Sequence, residues 1–184
     1  MNNSIWINDV VLPSFPKLET DLKTDILIIG GGLAGILCAW KLHQAGIDYA
    51  LVEANTLMSG VSQNTTAKLT SQHGLLYHKL LGRFGSEIAL KYYLANENAI
   101  KQYREITNVI DCSFETQDNY IYTLQNPKKL DKEWYALQQL GIPCTRYDQL
   151  DLPFPVAFGM KKELIFSTVA LMEKCIFRSI AFTI

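Results

Sequence analysis

The sequence predicts an α/β protein with helices packed on a parallel sheet, and three observations support this fold class. A short apolar, β-branched run at 25–29 is typical of a buried parallel strand. A glycine-rich turn follows it and leads into a helical pattern over 33–45, which Gly46 ends. A second apolar run, 49–52, stops at Glu53. Together these segments predict a strand–helix–strand unit.

Length and composition allow a substantial core. The chain has 184 residues, 48% of them hydrophobic and 19% charged, which suits one domain or one domain and part of another. The formal net charge is −1 and there is no block of Lys or Arg, so nucleic-acid binding is not expected. The oligomeric state is not determined by these features.

The chain also lacks obvious targeting and metal-binding patterns. No basic region followed by an apolar stretch begins it, and the longest apolar run, 26–40, is too short to span a bilayer. We therefore expect a cytoplasmic protein without a transmembrane segment. The scattered cysteines predict neither a disulfide framework nor a metal site; they are Cys38, Cys112, Cys144 and Cys175.

The remaining segments predict an excursion after the second strand. We expect an extended arm over 5–22 and a polar stretch without a strand over 54–74. A short helix over 75–84 and a longer one over 86–108 should follow, the longer one packing through a stripe of Ile88, Tyr92, Ala95, Ala99 and Tyr103.

Two strand candidates, 111–114 and 120–124, flank a turn predicted at Asp118 and Asn119. A last helix opens at Asn126-Pro127 and closes at Gly141. Its apolar positions are Leu130, Trp134, Leu137 and Leu140.

The glycine-rich turn has the G-x-G-x-x-G pattern of dinucleotide-binding units. Gly30 permits a tight turn, Gly32 lets the backbone approach a pyrophosphate, and Gly35 lets the helix pack on the strand. The phosphates would lie at the helix N-terminus, where free N–H groups and the helix dipole favour negative charge. Glu53 is placed to bind the adenosine ribose hydroxyls and to repel a 2′-phosphate, which argues against NADP.

The same turn serves FAD and NAD, and the segment after Glu53 favours FAD. In an ordinary NAD domain the second strand passes through a short helical crossover into a third parallel strand. Here the stretch 54–110 is polar loop and long helix instead. A large excursion at this point suits a flavoprotein whose second domain is inserted into the nucleotide-binding one. An NAD-binding dehydrogenase fragment remains an alternative.

The stretch 25–35, Glu53 and the run 60–74, Gly-Val-Ser-Gln-Asn-Thr-Thr-Ala-Lys-Leu-Thr-Ser-Gln-His-Gly, resemble FAD-dependent oxidoreductases of the D-amino-acid oxidase type. The likeness covers about 4–155 and is closest to the bacterial branch that often carries a Rieske iron–sulfur domain. It implies a Rossmann-like FAD-binding domain, here incomplete, with the start of an inserted α+β substrate domain. The residues expected to bind the cofactor are Gly30, Gly32, Leu33, Ala34, Gly35, Glu53, Ala54, Ser62, Thr65, Thr66 and Ala67.

The resemblance further implies oxidation of an amine or amino-acid C–N bond, with hydride transfer to flavin. No catalytic residue can be named. Lys68 is interpreted either as a charge near the flavin or as a surface lysine, and His73 as structural. His43 and His78 have no partners at ligand spacing and are assigned no role. Tyr92, Tyr93 and Tyr103 are interpreted as helix packing.

The end of the chain departs from this family. The likeness fades near 164–166, and an apolar tail follows over 167–184. We interpret the chain as an N-terminal fragment, with a natural small domain as the alternative. Its organisation is predicted as an ADP-binding region over 1–74, a helical excursion over 75–166 and the tail. A truncated remnant without activity, at most binding nucleotide, is a second functional hypothesis.

Overall fold

The computed structural model describes residues 11–65, 67–108, 110, 112, 114–123, 127–147 and 156–165, the last range by its backbone alone. These residues fall into two compact units. Unit 1 contains residues up to Ala67 and the segment 106–114, and unit 2 contains 68–105 and 115–165. No helix in the described ranges is long and apolar enough to cross a membrane.

Unit 1 is the predicted strand–helix–strand arrangement. Strand β1 (Leu27–Ile29) pairs in parallel with β2 (Ala50–Val52), and helix α1 (Leu33–Gln44) connects them. Gly46, with φ of +66°, ends the helix as predicted. Residues 11–22 contain neither helix nor strand, as expected of an extended arm, whereas 5–10 lie outside the described residues. The α/β class and the parallel pairing are confirmed.

Burial of β1 differs from the prediction. Ile28 packs against α1 at Gly35, but Leu27 and Ile29 are 54% and 81% exposed. Alternate side chains of a strand point to opposite faces, and in the described residues α1 covers one of these faces. The continuous apolar run correctly predicts a parallel strand. The expectation of burial on both faces is wrong for this part of the chain.

Unit 2 contains an antiparallel sheet with β6 (Val156–Ile165) at its centre. Strand β4 (Glu115–Thr123) pairs along one side of β6. The other side pairs with β3 (Lys68–Leu69) near the end of β6 and with β5 (Thr145–Tyr147) near its start. Strands β3 and β4 are far in sequence from β6, whereas β5 directly precedes it.

Two sequence predictions about this sheet are wrong. The stretch 54–74 was expected to lack a strand, yet it contains β3, whose two residues pair with Leu164 and Ile165. No turn forms at Asp118 and Asn119. Both residues belong to β4, whose pairing with β6 shifts register between Gln117 and Asn119. Local turn-forming residues produce a bulge here because pairing with β6 continues on both sides of them.

The two helices predicted over 75–84 and 86–108 are present as two helical segments that meet at a kink, and together they are α2 (Tyr77–Thr107). Gly85 interrupts it with φ of 78°, a conformation that glycine adopts without a Cβ clash. The predicted packing stripe is not the buried face of this helix, since Ile88, Ala95 and Ala99 are exposed. After Gly85, the buried positions of α2 are Ala89, Ile100 and Thr107. The pattern of apolar residues does not predict the buried face of α2, because this helix also exposes large apolar side chains.

Helix α3 (Pro127–Gln139) begins at Pro127 as predicted, and Gly141, with φ of 67°, follows its end. Its Leu130 and Leu137 are buried beside Tyr77 and Ala89 of α2. This cluster, completed by Ala136, Leu140 and Ile142, is the core of unit 2. The edge-to-face contacts of Tyr77 with Tyr92 and Tyr93 agree with the interpretation of these tyrosines as packing residues.

A buried carboxylate joins α3 to the start of α2. Glu133 is 0% exposed and accepts hydrogen bonds from the backbone N–H groups of Leu76, Tyr77 and His78 at 2.7–2.9 Å. Its carboxylate also accepts from Gln72 Nε2 at 3.1 Å and His78 Nδ1 at 2.6 Å. First-turn N–H groups have no partner within their helix, so a negative charge here satisfies them and complements the helix dipole.

We predict that Glu133→Gln lowers the free energy of unfolding by about 3–5 kcal/mol, because it removes a buried charge and turns an amide N–H group towards the backbone donors that the carboxylate accepts. Urea denaturation followed by circular dichroism measures this change. The matched control is Glu87→Gln, which breaks the exposed Glu87–Lys91 pair and should cost less than about 1 kcal/mol. Equal effects of the two substitutions would contradict the role of Glu133.

Candidate dinucleotide-binding site

The glycine-rich turn connects β1 to α1 in the geometry that the motif predicts. Gly30 has φ of +105°, and its N–H donates to the carbonyl oxygen of Val52 at 2.8 Å, which ties the turn to the end of β2. A Cβ on Gly35 would collide with the carbonyl oxygen of Gly30 and lie 3.3 Å from Ile28 Cγ2. Gly30 therefore supplies the left-handed turn, and Gly35 allows the close helix–strand contact.

The structure adds Gly31, a residue that the sequence reasoning did not include. Its N–H donates to Glu53 Oε2 at 2.7 Å, and its carbonyl oxygen accepts from Met58 N–H at 2.9 Å. A Cβ at this position would collide with the Leu57 side chain. The third consecutive glycine was a signal in the sequence, but its partners at 53–58 are identified only by tertiary structure.

Glu53 lies beside the turn, as the motif predicts, and both of its oxygens accept backbone hydrogen bonds. Oε2 accepts from Gly31 and Oε1 from Asn55 N–H at 2.9 Å. The Asn55 bond and then the Gly31 bond lower the pKa of Glu53 below its ordinary value of 4.5, so the carboxylate is ionised at neutral pH. Each oxygen keeps a second lone pair for a hydroxyl donor. Ala54, the next predicted residue, is exposed.

The N-terminus of α1 is bonded to the segment that follows β2. Gly32 is the N-cap residue and offers no side chain, and Ser62 Oγ instead accepts the N–H of Leu33 at 3.0 Å. Among the described residues no acceptor is present for the N–H groups of Ala34 and Gly35. These first-turn donors are the groups that bind anions at helix starts.

The segment between Met58 and Ala67 is held in an unusual backbone conformation. Met58 and Ala67 are buried non-glycine residues with φ of 61° and 52°. A 3₁₀ helix at Val61–Asn64 places Ser62 against α1, and Thr65 Oγ1 then accepts the N–H of Ala67 at 2.9 Å. Positive φ at such residues costs free energy and is concentrated at functional sites. The predicted Thr66 lies outside the described residues.

The residues present fit a dinucleotide. Among the described residues, Ser62 Oγ is the atom that a Cβ on Gly32 would approach within 4 Å, at 3.3 Å. Unpaired N–H donors at the start of α1 suit a pyrophosphate, and an ionised Glu53 suits ribose hydroxyls. The turn, Glu53 and Ser62 are thus brought together, as the motif predicts for the turn and Glu53 and as the family resemblance implies for Ser62.

Lys68, His73 and His78, the other candidate residues of the sequence, lie in unit 2. Lys68 Nζ donates to Oδ1 of the buried Asn119, whose Nδ2 donates to Thr70 Oγ1 at 3.1 Å. His73 is exposed, and its Nε2 lies 3.3 Å from Asn96 Oδ1. Its ring packs edge-to-face on Tyr92, and both contacts agree with a structural role. His78, which was assigned no partner, is bonded to Glu133. No sequence signal links these two residues, because they lie on different helices.

Comparison with known proteins identifies the family. The sequence pattern of the FAD-dependent oxidoreductases matches residues 25–158. The chain belongs to this family. It is also 39% identical over 181 residues to the putative Rieske 2Fe-2S iron-sulfur protein YhfW of Bacillus subtilis, covering 93% of this chain and 36% of that protein. This FAD-dependent oxidoreductase chain therefore spans about a third of the length of that relative. FAD is the cofactor of the family.

Solved structures share the fold at low identity. L-amino acid deaminase from Proteus vulgaris superposes with a TM-score of 0.67 at 14% identity, covering 92% of this chain and 41% of that one. L-proline dehydrogenase from P. horikoshii gives a TM-score of 0.63 at 13% identity, covering 85% and 41%. The Rossmann-like fold predicted from the glycine-rich turn is confirmed by these likenesses.

We predict that Gly35→Ala destabilises the chain by about 1–3 kcal/mol, because the added methyl group meets backbone that cannot move aside. A glycine-to-alanine change inside a helix is otherwise stabilising, so a decrease in the free energy of unfolding would itself indicate the close contact with Gly30. The control is Gly60→Ala, where a Cβ meets nothing within 4 Å. Chemical denaturation of both variants checks the prediction, and a stabilised Gly35→Ala variant would disprove it.

We also predict a pH-dependent contribution from Glu53. Its pKa is lower in the folded chain than the ordinary 4.5, so its stabilisation is present above pH 4.5 and is lost as pH falls through the folded-state pKa. The difference in unfolding free energy between the wild type and Glu53→Gln should therefore shrink below that pH. Urea unfolding from pH 7 to acid measures it, with Glu19→Gln as control. A difference independent of pH would contradict the role of these hydrogen bonds.

Proposed function

We propose that this chain is the ADP-binding part of a flavoenzyme that oxidises the C–N bond of an amine or amino acid. The observation that carries the proposal is the start of α1, where unpaired N–H donors lie beside an ionised Glu53 and a glycine-rich turn. Family membership supports FAD as the dinucleotide. The activities of two structural relatives, an L-amino acid deaminase and an L-proline dehydrogenase, support the substrate class.

The chain's own residues would hold and orient the cofactor. The N–H groups of Ala34 and Gly35 would donate to the pyrophosphate, and the missing side chain at Gly32 leaves room for it. Glu53, fixed by Gly31 and Asn55, would accept from the ribose hydroxyls. Leu33 and Ala54 would border the nucleotide. Bound FAD would accept the hydride from the substrate carbon.

The segment that ends at Ala67 would carry the chain from the phosphates towards the flavin. Ser62 already bonds α1 through Leu33, and its hydroxyl can still donate to a phosphate oxygen. Thr65, Thr66 and Ala67 follow it and complete the proposed cofactor-binding set. The positive φ of Ala67 and the Thr65 hydrogen bond support a preformed turn here.

Titration of the purified chain with FAD tests the cofactor assignment. We predict saturable binding, seen as flavin absorbance at about 450 nm that stays with the protein when free FAD is removed. Gly32→Val should lose this binding, because its side-chain atoms would occupy the space of the pyrophosphate. Gly60→Val, at a position open on all sides, is the control. Failure of the wild type to take up FAD, or unchanged affinity in Gly32→Val, would overturn the assignment.

The substrate class is tested separately on the FAD-loaded chain. Anaerobic addition of amino acids and simple amines should bleach the flavin band if the reduction site is complete in this chain. Flavin that stays bound but is not bleached by any of them would contradict an active amine-oxidising site while leaving cofactor binding intact. NADP should not compete with FAD, because Glu53 would repel its 2′-phosphate.

A further inference from the structure

Unit 2 contains a groove that the dinucleotide site does not use. It is an open cavity of about 380 Å³ between the first half of α2 and the middle of α3. Its walls are His78, Leu81 and Gly82 on α2 and Lys132, Tyr135, Ala136 and Gln139 on α3. These spacings place each set on one face of its helix. The volume is within the range that small-molecule sites have in proteins.

His78 is held rigidly at the inner side of this groove. Its Nδ1 lies 2.6 Å from Oε2 of the fully buried Glu133, while 28% of its side chain stays exposed. Because a carboxylate can only accept, Nδ1 carries the proton of this bond. Nε2 is then the ring nitrogen available to a ligand, and no described residue bonds to it. Glu133 itself is fixed by backbone donors, so the imidazole cannot swing away.

The charges and apolar surfaces of the groove select a class of ligand. Lys132 and His78 are the ionisable basic groups of its walls, and no Asp or Glu belongs to the residues that line it. The Lys132 ammonium can donate to a carboxylate, and the His78 ring can do so through Nε2–H in its doubly protonated form. Leu81, Ala136 and the exposed ring of Tyr135 provide apolar contact for a carbon skeleton. Inorganic anions would gain nothing from these apolar surfaces.

We propose that this groove binds a small organic carboxylate with an apolar body, with Lys132 and His78 bonding the carboxylate and Glu133 positioning the imidazole. Occupation of the groove does not require the dinucleotide, so the site is independent of the function proposed above.

Titration of the full 184-residue chain with benzoate, followed by NMR of the histidine ring protons, tests the site. We expect saturable shifts of the His78 signals and affinity reduced at least about tenfold in Lys132→Met, which removes one charge-assisted contact. His78→Asn keeps a donor towards Glu133 but removes Nε2, and it should weaken benzoate binding similarly. Lys128→Met, an exposed lysine of α3 outside the groove, is the matched control and should bind like the wild type.

The opposite results would overturn the proposal. No saturation by millimolar benzoate would show that the groove is not a ligand site. An equal loss in Lys128→Met would show that the surface charge of α3 attracts the anion without a defined site. Inorganic phosphate that competes as strongly as benzoate would show that the apolar walls play no part. Unchanged FAD binding in the same variants would separate these outcomes from any failure of the dinucleotide site.

Discussion

The hydrogen bond between Gly31 N–H and the Glu53 carboxylate is the constraint on which unit 1 depends. It joins the turn after β1 to the residue that ends β2, so the parallel strands and the start of α1 are fixed together. Buried backbone donors need acceptors, and a carboxylate bonded by two N–H groups is a strong one. The same bond holds Glu53 where a ribose would lie, which makes the fold and the proposed site parts of one arrangement.

Unit 2 uses a carboxylate in a comparable way. Glu133 satisfies the first turn of α2 from a position far along the chain, as Glu53 does for the turn before α1. From Glu133 a series of hydrogen bonds runs through the side chain and backbone N–H of Gln72 to Thr70, Asn119 and Lys68. The polar segment after β2 is therefore ordered by partners on α3 and β4. Its Ser/Thr/Asn/Gln composition, which a loop would also have, reflects these contacts.

The turn of unit 1 is built mainly from backbone groups, and such a fold can be kept at low sequence identity. Structures that share 13–14% identity with the chain still superpose on most of it. N–H donors and the helix dipole require glycine at a few positions but few particular side chains. Met58 and Ala67 hold positive φ values, a conformation that costs free energy for non-glycine residues, so these two positions add constraints of their own.

The sequence by itself determined the strand–helix–strand unit, the roles of Gly30, Gly35 and Gly46, the position of Glu53, the break at Gly85 and the limits of α3. These features depend on local backbone conformation and on spacing along one segment, which residue types report directly. Tertiary structure alone decided the pairing of β3 with β6, the bulge in β4, the buried face of α2, the bond of Gly31 to Glu53 and the Glu133–His78 pair. Each of these features depends on contacts between residues that are distant in sequence. A local sequence pattern does not indicate which distant residues form such contacts.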